Sequence, residues 1–142
     1  MTPATPAFWM ARLDAEQLIV RLYNALDAHE PEKIGRCFAP DGVWHRQGKA
    51  LQGPVAVIRE TSERPKTRTT QHVLSNFDME MDHRDGFQVR YYLTVFRHDA
   101  TEVATDPVPV SMPFALLRSR ASLVNHEGAL LIAELTSQTI FQ

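Results

Sequence analysis

The sequence predicts an α+β fold in which three helices from the first half pack against a strongly bent antiparallel sheet. Apolar residues recur at helical spacing before residue 61, whereas from Thr69 onwards the pattern alternates with a period of two. Polar turn signals divide this second part into long strands. Helices separated in this way from a run of strands are typical of α+β domains. A chain of 142 residues suits one core, so we expect a single domain over residues 1–142.

The first two helices are predicted from apolar spacing and from helix-start signals. Residues 1–7 contain two prolines and are expected to form a loose arm. The first helix is predicted from about Asp14, with Leu13 as a possible backward extension of its apolar face. That face is the series Leu18, Ile19, Leu22, Tyr23 and Leu26. A second helix is predicted over residues 31–38, because Pro31 suits a first turn. Its inward side chains are Ile34, Cys37 and Phe38.

The middle of the chain is predicted to hold a short strand and a third helix. The strand covers residues 43–46, between turn signals at residues 40–42 (Pro-Asp-Gly) and 47–49 (Gln-Gly-Lys). The third helix opens at residues 53–54 (Gly-Pro) and precedes a polar loop at residues 61–68. Its buried positions are Val57 and Ile58.

Four long strands are predicted for the rest of the chain. They cover residues 69–82, 86–98, 108–124 and 129–141. Residues 125–128 (Asn-His-Glu-Gly) are typical of a hairpin turn. Three prolines, Pro107, Pro109 and Pro113, are expected at a sheet edge or a bulge, because proline cannot donate to a strand ladder. A bent sheet wrapped on helices would enclose a pocket, and such pockets are mostly apolar.

The composition excludes several classes of function. Fifteen Lys and Arg stand against seventeen Asp and Glu, for a formal net charge of −2, which is not the footprint of a nucleic-acid-binding protein. One cysteine, Cys37, permits neither an internal disulfide nor a cysteine-based zinc site. No apolar run approaches the ~20 residues that span a bilayer, and no targeting segment is visible. We therefore expect a soluble, cytoplasmic protein with no membrane or nucleic-acid partner.

Asp27 and His72 are the leading candidates for acid–base chemistry. Asp27 continues the apolar stripe at the C-terminal end of the first helix, where the helix dipole opposes a carboxylate. It is either a surface or capping residue or a carboxylate aimed into the pocket. His72 lies early in the first long strand, on the same face as Thr70 and Leu74. It is either a structural histidine or a catalyst that Asp27 holds by a hydrogen bond.

Three further side chains are candidates for the pocket wall. Trp44 and Arg46 share one face of the short strand, and Tyr23 lies near the end of the first helix. The six histidines show no metal-ligand spacing, so no metal site is expected. His83 and His126 fall in predicted turns and are expected to be solvated. The sequence contains neither a Gly-x-Ser-x-Gly motif nor a glycine-rich phosphate loop.

Three stretches carry a resemblance to a known family. Residues 22–30 (LYNALDAHE) are similar to a Y-x-x-x-L-D-x-x-D helix end, residues 38–46 (FAPDGVWHR) precede LQG at residues 51–53, and residues 68–76 (RTTQHVLSN) are close to an R-T-x-x-H-x-x-x-N strand. In this order they resemble the SnoaL-like branch of the NTF2-like superfamily, over roughly residues 14–98. This branch includes scytalone dehydratase, bile-acid 7α-dehydratase and polyketide cyclase relatives. The superfamily contains many chemistries, so the resemblance is more specific for the fold than for a reaction.

The resemblance implies a cone-shaped barrel, a homodimer and chemistry without a cofactor. In the dehydratases of this branch, an aspartate at the position of Asp27 holds a histidine at the position of His72, which acts as the general acid–base. A tyrosine of those enzymes stands where Arg46 stands here, so Arg46 is a candidate to hold an enolate, carboxylate or phenolate oxygen. His98, or its neighbour Arg97, falls near a second pocket histidine of scytalone dehydratase.

The sequence also departs from the family pattern in its last strand. Gln138 stands where bile-acid dehydratase has an arginine, and residues 129–130 (Ala-Leu) stand where a tryptophan usually follows the final hairpin. These differences argue against carrying over the substrate of any named member, and they leave the Asp27–His72 pair in place.

The leading hypothesis is therefore a cofactor-independent lyase or isomerase that acts on a small hydrophobic hydroxylated or keto ring. Asp27 and His72 would be catalytic, and the substrate-binding residues would be Tyr23, Trp44, Arg46 and His98. One alternative is a non-catalytic ligand-binding or assembly subunit, such as a partner similar to the β subunit of a ring-hydroxylating dioxygenase. A second alternative is a carrier of lipophilic ligands that uses the same pocket without proton chemistry.

Overall fold

The computed structural model describes residues 5–81 and 86–142. These residues form three helices and six strands in the order α1 (Pro6–Asp27), α2 (Pro31–Gly35), β1 (Phe38–Arg46), β2 (Lys49–Gln52), α3 (Gly53–Ser62), β3 (Arg68–Met81), β4 (Phe87–Asp99), β5 (Ala115–His126) and β6 (Ala129–Phe141). The predicted α+β class, with helices in the first half and long strands in the second, is confirmed. Among the described residues, no helix combines the length and the apolar character that a membrane crossing requires.

The strands form one sheet in the order β2-β1-β6-β5-β4-β3. All neighbouring pairs are antiparallel except β1 and β6, which run parallel, so the sheet is mixed rather than purely antiparallel. No hairpin joins β1 to β6, and nothing in the connection therefore enforces an antiparallel pairing. Within the described residues the edge strands β2 and β3 do not pair with each other, so the sheet is open and not a closed barrel.

Helix α1 begins at Pro6, earlier than the start predicted near Asp14. Thr5 is the N-cap, and its side-chain oxygen accepts a hydrogen bond from the backbone N–H of Phe8 at 3.2 Å. The loose arm predicted for residues 1–7 is therefore wrong for residues 5–7, and residues 1–4 lie outside the described residues. The predicted apolar face is confirmed, since Leu18, Ile19, Leu22, Tyr23 and Leu26 are all buried. Leu13 lies off this stripe and is 59% exposed.

The segment after α2 differs from the prediction in two ways. Helix α2 ends at Gly35, and the turn predicted for residues 40–42 lies inside β1. The pairing of β1 with β6 shifts register between Phe38 and Val43, so the turn residues are accommodated as an irregularity of the strand. Gly42 is needed there, because a Cβ atom would lie 2.5 Å from the carbonyl oxygen of Ile132 on β6. Strand β2, which pairs with β1 after the Gln47-Gly48 turn, was not predicted.

Three of the four long strands agree with the prediction to within about one residue at each end. The exception is the third, which begins at Ala115 and not at residue 108. The intervening segment contains Pro109 and Pro113, which supply no backbone N–H to a ladder. The hairpin between β5 and β6 is confirmed, with Glu127 and Gly128 at φ values of 51° and 84°, which a two-residue type I′ turn requires. The turn predicted around His83 lies outside the described residues.

The core lies between α1 and the concave face of the sheet. One cluster of buried side chains includes Ile19 and Leu22 from α1, Val89 and Leu93 from β4, and Leu135 from β6. A bulge in β3 between Ser75 and Asp78 bends that strand. The C-terminal end of α1 faces the first residues of β3 at one end of the sheet, because Asp27, the last residue of the helix, contacts Thr70 and His72.

Candidate active site

A cavity of about 350 Å³ opens at this end of the sheet. Its wall is formed by the end of α1, by β1, by the first part of β3, and by the facing ends of β4, β5 and β6. The side chains that matter for chemistry are Tyr23, Trp44, Arg46, Arg64, Arg68, Thr70, His72 and Arg97. The cavity is less apolar than predicted, because four arginines line it beside its apolar side chains.

The end of helix α1 fixes the position of Asp27. The backbone N–H of Glu30 donates to the carbonyl of Ala25 at 2.9 Å, and that of His29 donates to the carbonyl of Leu26 at 3.3 Å. This pair of bonds is a Schellman motif, with His29 at a φ of 56° in the left-handed position that ends the helix. The His29 ring also bonds through Nε2 to the carbonyl oxygen of Arg68, at 2.8 Å, and so ties the helix end to the start of β3.

Asp27 is paired with His72 and Thr70 of β3. One carboxylate oxygen accepts the Thr70 hydroxyl at 2.8 Å and lies 2.5 Å from His72 Nδ1. The other oxygen accepts the backbone N–H of His72 at 2.9 Å. Burial raises the pKa of Asp27, but the hydrogen bonds from His72 and Thr70 outweigh it and lower the pKa below its ordinary value. The carboxylate is therefore ionised at neutral pH, although it lies at the unfavourable end of the helix dipole.

The ionised carboxylate fixes the tautomer of His72. A carboxylate can only accept hydrogen bonds, so the proton shared with Asp27 belongs to Nδ1 and the lone pair of the neutral imidazole lies on Nε2. His72 lies on the cavity wall with 11% of its side chain exposed. Within the described residues, Nε2 has no hydrogen-bond partner. The ring of Tyr23 packs beside the imidazole, with ring centroids 5.2 Å apart. The site thus presents one basic nitrogen to the cavity.

Arg64 donates hydrogen bonds to both elements that hold this pair, the end of α1 and strand β3. Its Nη1 donates to the carbonyl oxygen of Leu26 at the helix end, and its Nη2 donates to the Thr70 hydroxyl at 2.9 Å. The Thr70 hydroxyl in turn donates a hydrogen bond to Asp27, so a chain of hydrogen bonds runs from Arg64 through Thr70 to the carboxylate. Sequence reasoning put Arg64 in a polar loop and gave it no function. No local pattern marks it, because its partners lie on α1 and β3.

Arg46 approaches the cavity from β1. Its guanidinium lies over the ring of Trp44, 5.2 Å from the ring centroid, and the two side chains share one face of the strand as predicted. No carboxylate of the described residues lies within ion-pair distance of Arg46. Burial lowers the pKa of Arg46, although not enough to neutralise a guanidinium at physiological pH.

Arg97, and not His98, lines the cavity from β4. Strand alternation places Arg97 on the same face as Leu93 and Val95, which also line the cavity, and it places His98 on the opposite face. The sequence-based assignment of His98 to substrate binding is therefore wrong. The guanidinium of Arg97 lies 4.8 Å from the ring centroid of Phe114.

Two neighbouring arginines share one carboxylate. Asp99 accepts from Arg68 Nε at 2.7 Å and pairs with Arg97 Nη2 at 2.8 Å. Asp99 is half exposed, and these hydrogen bonds lower its pKa.

Buried hydroxyl groups lie behind the cavity. The hydroxyl oxygens of Tyr23 and Tyr91 are 3.0 Å apart, and those of Ser119 and Ser137 are 2.8 Å apart. Burial raises the pKa of Tyr23 to about 12, against the opposing effects of its hydrogen bonds and of Arg46. Tyr23 is therefore a neutral phenol at physiological pH and can act as a hydrogen-bond donor.

The structure brings together Asp27, His72, Tyr23, Trp44 and Arg46. Sequence reasoning gave no role to Arg64, Arg68 or Thr70, although strand alternation had already put Thr70 on the face of His72. Within the described residues, no three His, Cys, Asp or Glu side chains lie close enough together to hold a metal ion.

Comparisons with known proteins agree with this fold. A profile described as the SnoaL-like domain matches residues 10–136. A protein assigned as a scytalone dehydratase from Novosphingobium aromaticivorans is 15% identical, with 94% of this chain and 86% of that chain covered and a TM-score of 0.77. ActVI-ORFA from Streptomyces coelicolor is 12% identical, with 92% and 97% covered and a TM-score of 0.75. A type 2 hexachlorocyclohexane dehydrochlorinase (LinA) is 10% identical, with 94% and 87% covered and a TM-score of 0.76. Among curated proteins none matches the chain significantly.

Proposed function

The chain belongs to the SnoaL-like domain family of the NTF2-like superfamily, and from this membership and the Asp27–His72 pair we propose that it is a cofactor-independent lyase or isomerase. The substrate is a small ring compound with a hydroxyl or keto group. The observation that carries this function is the Nε2 of His72 on the cavity wall, which has no partner among the described residues, opposite an Nδ1 held by a largely buried carboxylate. This arrangement is that of a positioned general base.

The reaction begins with proton transfer to His72. Nε2 takes a proton from a ring carbon next to a carbonyl, the C–H bond breaks, and its electron pair passes into an enolate. The imidazolium that forms is stabilised by the ionised Asp27, which also holds the ring in place. In an elimination, the proton on Nε2 is then given to a β-hydroxyl group, which leaves as water. In an isomerisation, the proton returns to a different carbon. Positioned acid–base catalysis of this kind contributes roughly 10²–10⁴-fold in rate.

Arg46 is suited to the oxygen on which negative charge develops. On the cavity wall, the guanidinium of Arg46 makes no hydrogen bond to the described residues, and its charge favours an enolate over the neutral ketone. Tyr23 is a neutral phenol, and its ring forms the wall of the pocket beside the imidazole of His72. Trp44 holds Arg46 by its ring face.

The names of the structural neighbours support a lyase. One is assigned as a scytalone dehydratase and another is a dehydrochlorinase, and both names describe eliminations. Identities of 10–15% carry the fold and not the substrate.

Proton exchange tests the proposed base without knowledge of the true substrate. A panel of ring ketones, such as 2-tetralone and its hydroxylated and carboxylated analogues, is incubated with the protein in D₂O, and deuterium uptake next to the carbonyl is followed by NMR. We expect the wild-type protein to accelerate uptake over buffer. His72→Gln should lower this acceleration by about 10²–10⁴-fold and Asp27→Asn by at least about tenfold. His126→Gln is the matched control, because His126 lies at the β5–β6 hairpin, away from the cavity, and should leave the rate unchanged.

Two results would contradict the proposed function. One is a wild-type rate equal to buffer for every ketone, and the other is an acceleration that survives in His72→Gln. The first would favour the assembly-subunit and ligand-carrier hypotheses, and the second would give the role of base to a group other than His72.

A further inference from the structure

The cavity wall carries more positive charge than acid–base chemistry on a neutral ring needs. Arg46, Arg64, Arg68 and Arg97 all line it, whereas no Asp or Glu side chain of the described residues does. Two nearby carboxylates, which do not line the cavity themselves, offset part of this charge. Asp99 pairs with Arg68 and Arg97, and Asp27 is linked to Arg64 through Thr70. The two carboxylates leave two of the four positive charges unbalanced, and the fourth arginine is linked to neither carboxylate.

That fourth arginine is Arg46. Its electrostatic neighbour Glu60 is already engaged, with Lys49 Nζ 3.2 Å from its carboxylate. Within the described residues, the guanidinium of Arg46 makes no hydrogen bond, although it is half-buried against Trp44. A ligand that displaces water from this partly buried guanidinium must supply hydrogen-bond acceptors of its own. The pKa of Arg64 is lowered by burial and by the charges of its arginine neighbours, in agreement with a surplus of positive charge here.

We propose that the substrate is an anion, namely a ring compound that carries a carboxylate bound by Arg46. The planar fork of a guanidinium matches a carboxylate with two parallel hydrogen bonds, and the Trp44 ring fixes the plane of the fork. A cavity of about 350 Å³ is at the small end of ligand sites, so the acid has one or two rings. A guanidinium has five N–H donors, so two can bind the carboxylate while others remain for the enolate oxygen. This inference rests on the proposed function and names the substrate class for the same cavity.

Matched acid and amide probes test the inference by binding alone. Benzoate is compared with benzamide, and 2-naphthoate with 2-naphthamide, by calorimetry at neutral pH. Each pair has the same shape and differs in charge. We expect the wild-type protein to bind the better-fitting acid at least about tenfold more tightly than its amide, since hydrogen bonds between charged groups are the strong ones. Arg46→Gln should remove most of this preference, and Arg46→Lys should retain part of it.

Arg118→Gln is the matched control for Arg46→Gln. Arg118 also stacks on an aromatic ring, 5.8 Å from the centroid of Tyr92, but it is exposed on β5 and does not line the cavity. It should keep the full preference for the acid. Equal affinity for acid and amide, no binding of either acid, or a full preference in Arg46→Gln would each overturn the inference.

His72→Gln separates this inference from the proposed function. It should abolish proton exchange while it keeps the preference for the acid. An acid preference without exchange activity would leave the anion site standing and remove the proposed reaction. Exchange on neutral ketones without an acid preference would support the proposed reaction and overturn the anion site.

Discussion

Asp27 and Asp99 lie at the same end of the β3–β4 pair, and the protein holds them in different ways. Asp27 is 12% exposed and accepts hydrogen bonds from Thr70 and from the ring and backbone of His72. Asp99 is 49% exposed and pairs with two arginines. The pKa of each carboxyl is lowered, in Asp27 by hydrogen bonds that overcome burial and in Asp99 by hydrogen bonds to arginine near solvent.

The comparison shows that two carboxyl groups whose pKa values shift in the same direction can contribute very different amounts to the free energy of unfolding. Exposed ion pairs contribute little to stability, because water and salt screen them and long side chains lose entropy. A buried acceptor with three donors is different, because removing it leaves those donors without partners. Asp27 should therefore matter for stability and function, whereas Asp99 should adjust the field at the cavity mouth.

Asp27→Ala is expected to have the largest effect on stability. It leaves the Thr70 hydroxyl and the two N–H groups of His72 without their acceptor in a partly buried site. The free energy of unfolding should fall by about 1–3 kcal/mol, the cost of unsatisfied buried polar groups. Urea denaturation measures this, with the denaturant slope expected to remain unchanged. A variant as stable as the wild type would show that the three hydrogen bonds are not coupled to folding.

The stabilisation by Asp27 is expected to disappear in acid. Because folding lowers the pKa of Asp27, its charge stabilises the protein above the ordinary pKa of about 3.8, and this contribution is lost as the pH falls through the lower pKa of the folded state. The difference in unfolding free energy between the wild type and Asp27→Asn is measured from about pH 5 downwards, below the range in which histidine side chains ordinarily titrate. It should shrink below about pH 4. Denaturation curves across this range measure it, and a difference that grows in acid would contradict the sign of the shift.

Thr70→Val is expected to have an intermediate effect. It removes one of the donors to Asp27 and the acceptor of Arg64 Nη2, but it leaves the His72 contacts in place. The free energy of unfolding should fall by about 1 kcal/mol, the net value of a typical hydrogen bond. Thr70→Ser, which keeps the hydroxyl, is the control and should recover most of the loss. Equal destabilisation by both substitutions would point to packing of the methyl group instead.

Asp99→Asn is expected to have the smallest effect on stability. Its ion pairs are exposed, so thermal unfolding should show no measurable change in midpoint. The same substitution releases Arg68 and Arg97 from a negative charge and should tighten the binding of a ring carboxylate at the cavity. A marked loss of stability would place Asp99, contrary to its exposure, in the same class as Asp27.

Local patterns predict most of the elements of this fold. The stripe from Leu18 to Leu26 predicted the buried face of α1, and residues 125–128 predicted the hairpin between β5 and β6. Both signals come from neighbouring residues. The parallel pairing of β1 with β6 depends on residues about 90 positions apart, such as Val43 and Glu134, and no local pattern reports it. The turn predicted at residues 40–42 is wrong for the same reason, since β6 supplies the partner that keeps this segment extended.

The candidate site was predicted in part. Asp27 and His72 were named from a helix stripe that ends in an acid and from a family resemblance, and the 2.5 Å contact brings them together. His98 was chosen over Arg97 because the resemblance leaves the register uncertain by one residue, and a shift of one residue reverses the face of a strand. Arg64 escaped notice because its role comes from two elements that are distant in sequence. Whether His72 transfers a proton stays a prediction.

The measurement that tests the central claim most directly is the tautomer of the neutral His72 imidazole, read from its ¹⁵N chemical shifts by NMR. The signals are assigned by their absence in His72→Gln, and the pH is raised until the ring is neutral. A general base held by Asp27 requires the proton on Nδ1 and the lone pair on Nε2. We expect that pattern in the wild type and its loss or weakening in Asp27→Asn. A proton on Nε2 in the wild type would contradict the pairing and, with it, the proposed role of His72 as the base.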